Sequence, residues 1–150
     1  MRVAVTIGLA IAAAFAAAGT AAGSDLKTIQ SEANLERRAK LAFDNAAAAL
    51  QLARDAYRNG DNDRMTALIA EVQDSVTLAF ASLQQTNKDP RRSPKWFKYG
   101  EVGTRDLLRR LDAFQQEMSF SERPALDKLK DKIQQVHDDL LMGLMEGKKK

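Results

Sequence analysis

The chain has 150 residues, with 23 basic and 20 acidic side chains for a formal charge of +3, one histidine and no cysteine. That length supports one compact domain with a hydrophobic core of its own. The missing cysteine excludes disulfides, covalent c-type haem attachment, thiol redox chemistry and thiolate zinc sites, and the near balance of charge argues against specific nucleic-acid binding.

The N-terminus reads as a leader. Arg2 precedes an apolar run from Val3 to Phe15, and small residues follow to Ala22. This is the layout of a secretory signal peptide, and the run of about thirteen residues is short of the roughly 20 that a spanning helix needs. The expectation is a signal peptide over residues 1–22, cleaved near Ala21 or Ala22. Residues 23–150 then form one exported domain, periplasmic or secreted, with no transmembrane anchor after cleavage.

Four amphipathic helices follow, and no stretch alternates as a strand does. In the first, Leu35, Ala39, Ala42, Phe43, Ala46, Ala49, Leu50, Ala53 and Tyr57 recur at steps of three and four, the period of one helix face. The quartet Ala46 to Ala49 has high helix propensity and lets a neighbouring helix come close. Asn59-Gly60 ends this helix, because glycine takes a left-handed C-terminal conformation at no steric cost. Asp61 or Asp63 then caps the next. Met65, Leu68, Ile69, Val72, Val76, Ala79, Phe80 and Leu83 line the second helix, whose pattern fades at Thr86-Asn87 before Asp89-Pro90. So short a turn sets the two helices antiparallel. A single tetratricopeptide-like hairpin from Ala53 to Asp61 is an alternative, but no second copy of a repeat of about 34 residues occurs.

The segment from Lys88 to Tyr99 departs from the rest in composition. Lys88, Arg91, Arg92, Lys95 and Lys98 face a single acid, Asp89, and Pro90, Pro94, Trp96, Phe97 and Tyr99 are interleaved with them. Clustered Lys and Arg bind phosphate or carboxylate groups, and arginine does so bidentately. Trp96, Phe97 and Tyr99 offer rings to stack on a ligand or to sit at a membrane interface. Arg91, Arg92, Lys95, Trp96 and Lys98 are therefore the candidate residues for an anionic partner. The competing reading has Trp96 and Phe97 plugging the bundle end while the cations stay solvated.

Ser93-Pro94 fits an N-cap followed by proline, so the third helix is expected from near Pro94 through Leu107, Leu108, Leu111, Phe114 and Met118, despite Gly100 and Gly103. Restarting at Thr104 is the alternative. Ser121 is the expected cap of the fourth helix, with Pro124 in its first turn. Leu126, Leu129, Ile133, Val136, Leu140 and Leu144 form that helix's apolar stripe. Each helix needs partners to cover one stripe, and an all-α, antiparallel up-down-up-down four-helix bundle satisfies all four.

No catalytic, cofactor or metal site is expected. Asn59-Gly60-Asp61-Asn62-Asp63 resembles a calcium loop only until Thr66, which stands where the EF-hand requires glycine. There is no Glu-x-x-His pair for di-iron, no Gly-x-Ser-x-Gly and no phosphate-cradling loop. His137 is the only histidine, and beside Asp138-Asp139 it reads as a solvated or locally hydrogen-bonded side chain. Haem held in the manner of cytochrome b562 needs a methionine on the first helix, and none is there.

Three stretches, Lys88-Asp-Pro-Arg-Arg-Ser-Pro-Lys95, Arg105-Asp-Leu-Leu-Arg-Arg-Leu111 and Val136-His-Asp-Asp-Leu-Leu141, together resemble small uncharacterised exported helical proteins of soil bacteria. The resemblance implies export and a helical fold and supplies no mechanism. The functional expectation is a non-catalytic binding or structural module of the bacterial periplasm, whose partner is a protein or an anionic envelope component. An envelope-stress chaperone-like protein and a noncovalent haem-binding electron carrier are the alternatives.

Overall fold

The computed structural model describes residues 21–148, and every regular element among them is helical. In chain order these are α1 (Ala21–Gln30), α2 (Leu35–Arg58), α3 (Asn62–Gln85), α4 (Lys95–Glu117), a 3-10 turn (Arg123–Leu126) and α5 (Asp127–Glu146). The long helices α2 to α5 are the four that the apolar spacing predicts. The short α1 is not anticipated, and its physical basis explains why. Its one described core side chain is Ile29, packed on α2 and α3, so it has no apolar period of its own. The leader assigned to residues 1–22 lies outside the described residues, apart from Ala21 and Ala22 at the start of α1.

Local chemistry sets most of the boundaries. Asn34 Oδ1 accepts a hydrogen bond from Arg37 N at 2.9 Å and starts α2. Gly60, at φ +72°, lets the chain turn out of α2, and Asp61, rather than Asp63, accepts from Arg64 N at 3.1 Å to start α3. Two expected caps are not made. Ser93 closes the preceding turn, donating its backbone N–H to Asp89 O at 2.9 Å. Pro94 therefore occupies the cap position of α4, without a side-chain hydrogen bond. Ser121 does not cap α5 either. Ser119 organises that turn by donating to Glu122 Oε2 at 2.6 Å, and Pro124 falls in the 3-10 turn ahead of Asp127.

The tightest packing is between α2 and α3. Ala39, Ala42, Ala46, Ala49, Ala53 and Ala56 are all buried and step alternately by three and four. Met65, Leu68, Val72, Ser75, Ala79 and Ser82 are buried on α3 with the same steps. This is the 3.5-residue seam of a coiled coil. Alanine projects so little that the two backbones lie close along their length, and α2–α3 is the most extensive interface in the molecule. Polar groups in the seam are paired. Asn45 Nδ2 donates to Glu71 Oε1 at 3.2 Å and to Ser75 Oγ at 2.9 Å, while Arg38 Nε donates to Ser82 Oγ at 2.9 Å. No buried side-chain nitrogen or oxygen among the described residues lacks a partner, as a stable interior requires.

The second pair, α4 and α5, completes the core with Leu107, Leu111, Phe114, Leu129, Ile133, Val136 and Leu140. Beyond these pairings α4 packs on α2 and α5 on α3, whereas α3 and α4 scarcely meet. Helix α4 runs unbroken through both of its glycines. Gly100 is buried where α4 meets α2 and α5. A Cβ there would lie 2.8 Å from the Phe43 ring and 3.1 Å from Leu140 Cδ1. The residue type that weakens the helix is the one that allows these helices to meet.

At the end of the bundle that carries the Asn59-Gly60 turn, Glu117 accepts hydrogen bonds from Arg54 and Arg58. The Arg54 guanidinium first, and that of Arg58 second, hold its carboxyl at about 2, against an ordinary value of 4.5. A carboxylate whose folded pKa is depressed contributes stability that is present above the unfolded value and lost as pH falls through the folded one. The stabilising effect of Glu117 is therefore full above about pH 4.5 and disappears towards pH 2. Urea midpoints measured between pH 2 and 6 should fall less steeply with acid in Glu117→Gln than in the wild type. Equal slopes would show that the ion pairs are absent in solution.

Candidate functional site

The cationic segment is a short turn followed by the first turn of α4. Asn87 takes a positive φ of 54° as the chain leaves α3. Asp89 then builds the turn, its carboxylate accepting from Arg91 N at 2.9 Å and its carbonyl from Arg92 N at 3.1 Å. Pro90 is buried against α5, where a Cβ on Gly143 would lie 3.2 Å from Pro90 Cγ. One turn further along α5, a Cβ on Gly147 would lie 3.1 Å from Arg91 Cδ. The glycines that fray the end of α5 by sequence thus serve as the surface on which the turn is seated. Lys148 Nζ reaches back to Asn87 O at 3.4 Å.

The expected site residues are brought to one end of the bundle with different roles. Lys88 is paired with Glu36 of α2 and is not a free cation. Arg91, Arg92, Lys95 and Lys98 are all exposed, and none has a carboxylate partner among the described residues. Lys95 and Lys98 stand in the first turn of α4, which has no acidic residue and no side-chain cap. Uncapped N–H groups and the helix dipole add to the positive potential there. An anion would relieve both.

The aromatic residues divide. Phe97 is buried in the core. Trp96 is half-buried, meets Tyr99 edge to face at 5.9 Å between centroids and carries Lys95 Nζ over its ring at 4.7 Å. Tyr99 donates its hydroxyl to Asp44 of α2, and Lys40 Nζ lies over its ring at 5.5 Å. Burial, and then the bond to Asp44, push the Tyr99 hydroxyl above its ordinary pKa, which keeps it a donor. Trp96 is therefore partly engaged in packing, and the cations are the accessible part of the site.

The histidine corrects another expectation. His137 is bonded across the bundle rather than locally: its Nδ1 is 3.0 Å from Oγ1 of Thr104, a residue with no exposed surface on α4. That hydroxyl lies 2.9 Å from Gly100 O and 3.0 Å from Glu101 O. Its single proton goes to the backbone, so its oxygen accepts from His137 Nδ1–H. A threonine 33 residues away in sequence gives no local signal of this pairing. Among the described residues no group of three His, Cys, Asp or Glu side chains is placed to hold a metal ion, and no helix is long and apolar enough to cross a membrane.

Fold and site together define, among the described residues, an all-helical arrangement of four long helices with a cationic end. No family model, curated protein or solved structure matches the chain.

Proposed function

We propose that the chain is an exported, non-catalytic binding module of the bacterial periplasm whose cationic end holds an anionic partner of the cell envelope. The observation that carries this reading is the presence, within eight residues, of four exposed cations without a carboxylate partner, Arg91, Arg92, Lys95 and Lys98, beside an uncapped helix start. The turn is anchored by buried Pro90 and by the Asp89 hydrogen bonds, so these charges are displayed on a rigid support. The leader layout of residues 1–22 supports export. The carrier is read as an up-down-up-down bundle. Arg38 pairs with Ser82 and Asn45 with Glu71, which suits antiparallel α2 and α3. The Asp44–Tyr99 and Arg54–Glu117 pairs suit α2 and α4 pointing the same way.

Exposed charges attract over a Debye length of about 8 Å at physiological salt, so binding should be salt-sensitive. At low salt the protein should co-sediment with vesicles containing anionic lipid and be released at high salt. Changing Arg91, Arg92, Lys95 and Lys98 together to Gln should abolish the sedimentation with helical content unchanged. Equal sedimentation of wild type and variant at low salt would leave these residues as a solvated bundle end.

A further inference from the structure

Lys95, Lys98, Tyr99 and Val102 follow one another at the three- and four-residue separations of side chains that share a helix face, and all four are exposed. Arg91 and Arg92 precede them in the turn. Charge and apolar surface therefore meet on one side of the molecule. Tyr99 and Val102 are 36 % and 46 % exposed, and half-buried Trp96 touches Tyr99 edge to face. Tyrosine and tryptophan favour the boundary between lipid headgroups and acyl chains, because each has an apolar body and a polar tip. Lysine and arginine stems lie along the same boundary with their charges raised to the phosphates.

The acids near this face are already engaged. Asp44 pairs with Lys40 and accepts from Tyr99, Glu101 pairs with Arg105, and Asp106 is shared by Arg109 and Arg110. Asp89 is bound to the backbone of its own turn. Arg91, Arg92, Lys95 and Lys98 are left over. Residues 1–20 contain no Asp or Glu, so they supply no side-chain carboxylate to these four either. A second exposed apolar group, Leu141, Met142 and Met145 near the end of α5, is interspersed with exposed Asp138, Asp139 and Glu146, which an anionic surface would repel. The start of α4 is the face that joins apolar surface to uncompensated positive charge, and that pairing is the complement of an anionic bilayer. A soluble acidic polymer would match the charge but has no apolar layer for Val102 to enter.

We infer, building on the anionic partner proposed for the cationic end, that the outer face of α4 docks on an anionic lipid bilayer. Tyr99, Val102 and the exposed edge of Trp96 enter the headgroup layer, and Arg91, Arg92, Lys95 and Lys98 meet lipid phosphates. Vesicles of phosphatidylcholine with phosphatidylglycerol, at low salt, are the probe. Trp96 is the only tryptophan, so its emission should shift to the blue and be quenched by lipids brominated on their acyl chains. Vesicles of phosphatidylcholine alone should produce neither effect. Val102→Trp adds apolar surface at an exposed position and should raise the vesicle partition coefficient about tenfold. Met145→Trp, at a still more exposed position on α5, should change it little. Vesicle binding with Trp96 unquenched would overturn the inference, as would a Val102→Trp variant that partitions like the wild type or an equal gain from Met145→Trp. Binding of polyphosphate without binding of vesicles would overturn it too, since the partner would then be a soluble polyanion. Sedimentation that depends on the four cations but leaves Trp96 unquenched removes only the bilayer contact of α4. Equal sedimentation of the wild type and the variant with all four cations changed to Gln removes the cationic site as well.

Discussion

Alanine in place of Leu129 or Ile133 should lower the free energy of unfolding by about 2–5 kcal/mol, with a smaller loss for Val136→Ala. All three residues are buried on the face of α5 turned to α4 and α3. Two terms add at each site. The removed methyl and methylene groups no longer leave water on folding, and a cavity remains because close-packed neighbours relax only in part. Leu107, Leu111 and Phe114 of α4 belong to the same buried cluster, and close packing limits how far such neighbours move into the space. Urea denaturation followed by circular dichroism checks the effect. A loss below about 1 kcal/mol at both Leu129 and Ile133 would mean that this face of α5 is not in the core.

The two glycines of α4 should respond to alanine with opposite signs. In a helix interior, glycine to alanine gains roughly 0.5–1 kcal/mol from backbone entropy alone. At Gly103 nothing opposes that gain, since the added Cβ meets no atom within 4 Å. Gly103→Ala should therefore stabilise the fold by about that amount. At Gly100 the same Cβ would sit 2.8 Å from Cε2 and Cζ of Phe43. Phe43 is itself buried and Leu140 Cδ1 would lie 3.1 Å from the same Cβ, so the ring or the helix must shift to admit the methyl group. Overpacking of this kind costs about 1–3 kcal/mol, which outweighs the propensity gain. Gly100→Ala should destabilise the protein, and Phe43→Leu combined with it should recover part of the loss by removing ring atoms from the clash. Stabilisation by both alanines alike would show that α4 does not approach α2 at Gly100.

The charge variants act elsewhere. Glu117 lies at the far end of the bundle from Arg91 and Arg92, so the acid dependence of stability and the salt dependence of vesicle binding should be separable by mutation. Sites this far apart with no shared partner add their effects nearly independently.

The extent and type of α2 to α5 were legible from sequence because each has a long apolar stripe, and a 3.6-residue period repeated over many turns is a strong local signal. The Asn59-Gly60 stop and the Asp61 cap were legible for the same reason, since their chemistry involves residues two to four positions apart. The alanine face of α2 announced close packing, although its full stripe to Ala56 appears only once α3 is laid against it. The clustering of Arg91, Arg92, Lys95 and Lys98 could be read directly as composition. Everything that depends on two distant segments had to wait for the tertiary structure. Ser93 and Ser121 have the right type for caps and lost the role because neighbouring Asp89 and Ser119 took over the turns. Gly100 and Gly103 look alike in sequence, and only the position of Phe43 separates a required glycine from an open one. His137 gained a partner 33 residues away, and Lys88 lost its freedom to Glu36 across the bundle end. Local sequence fixes which residues can form a helix and where it can end, since those interactions lie within a turn. The side chains that meet across helices are decided by packing, which no single segment contains.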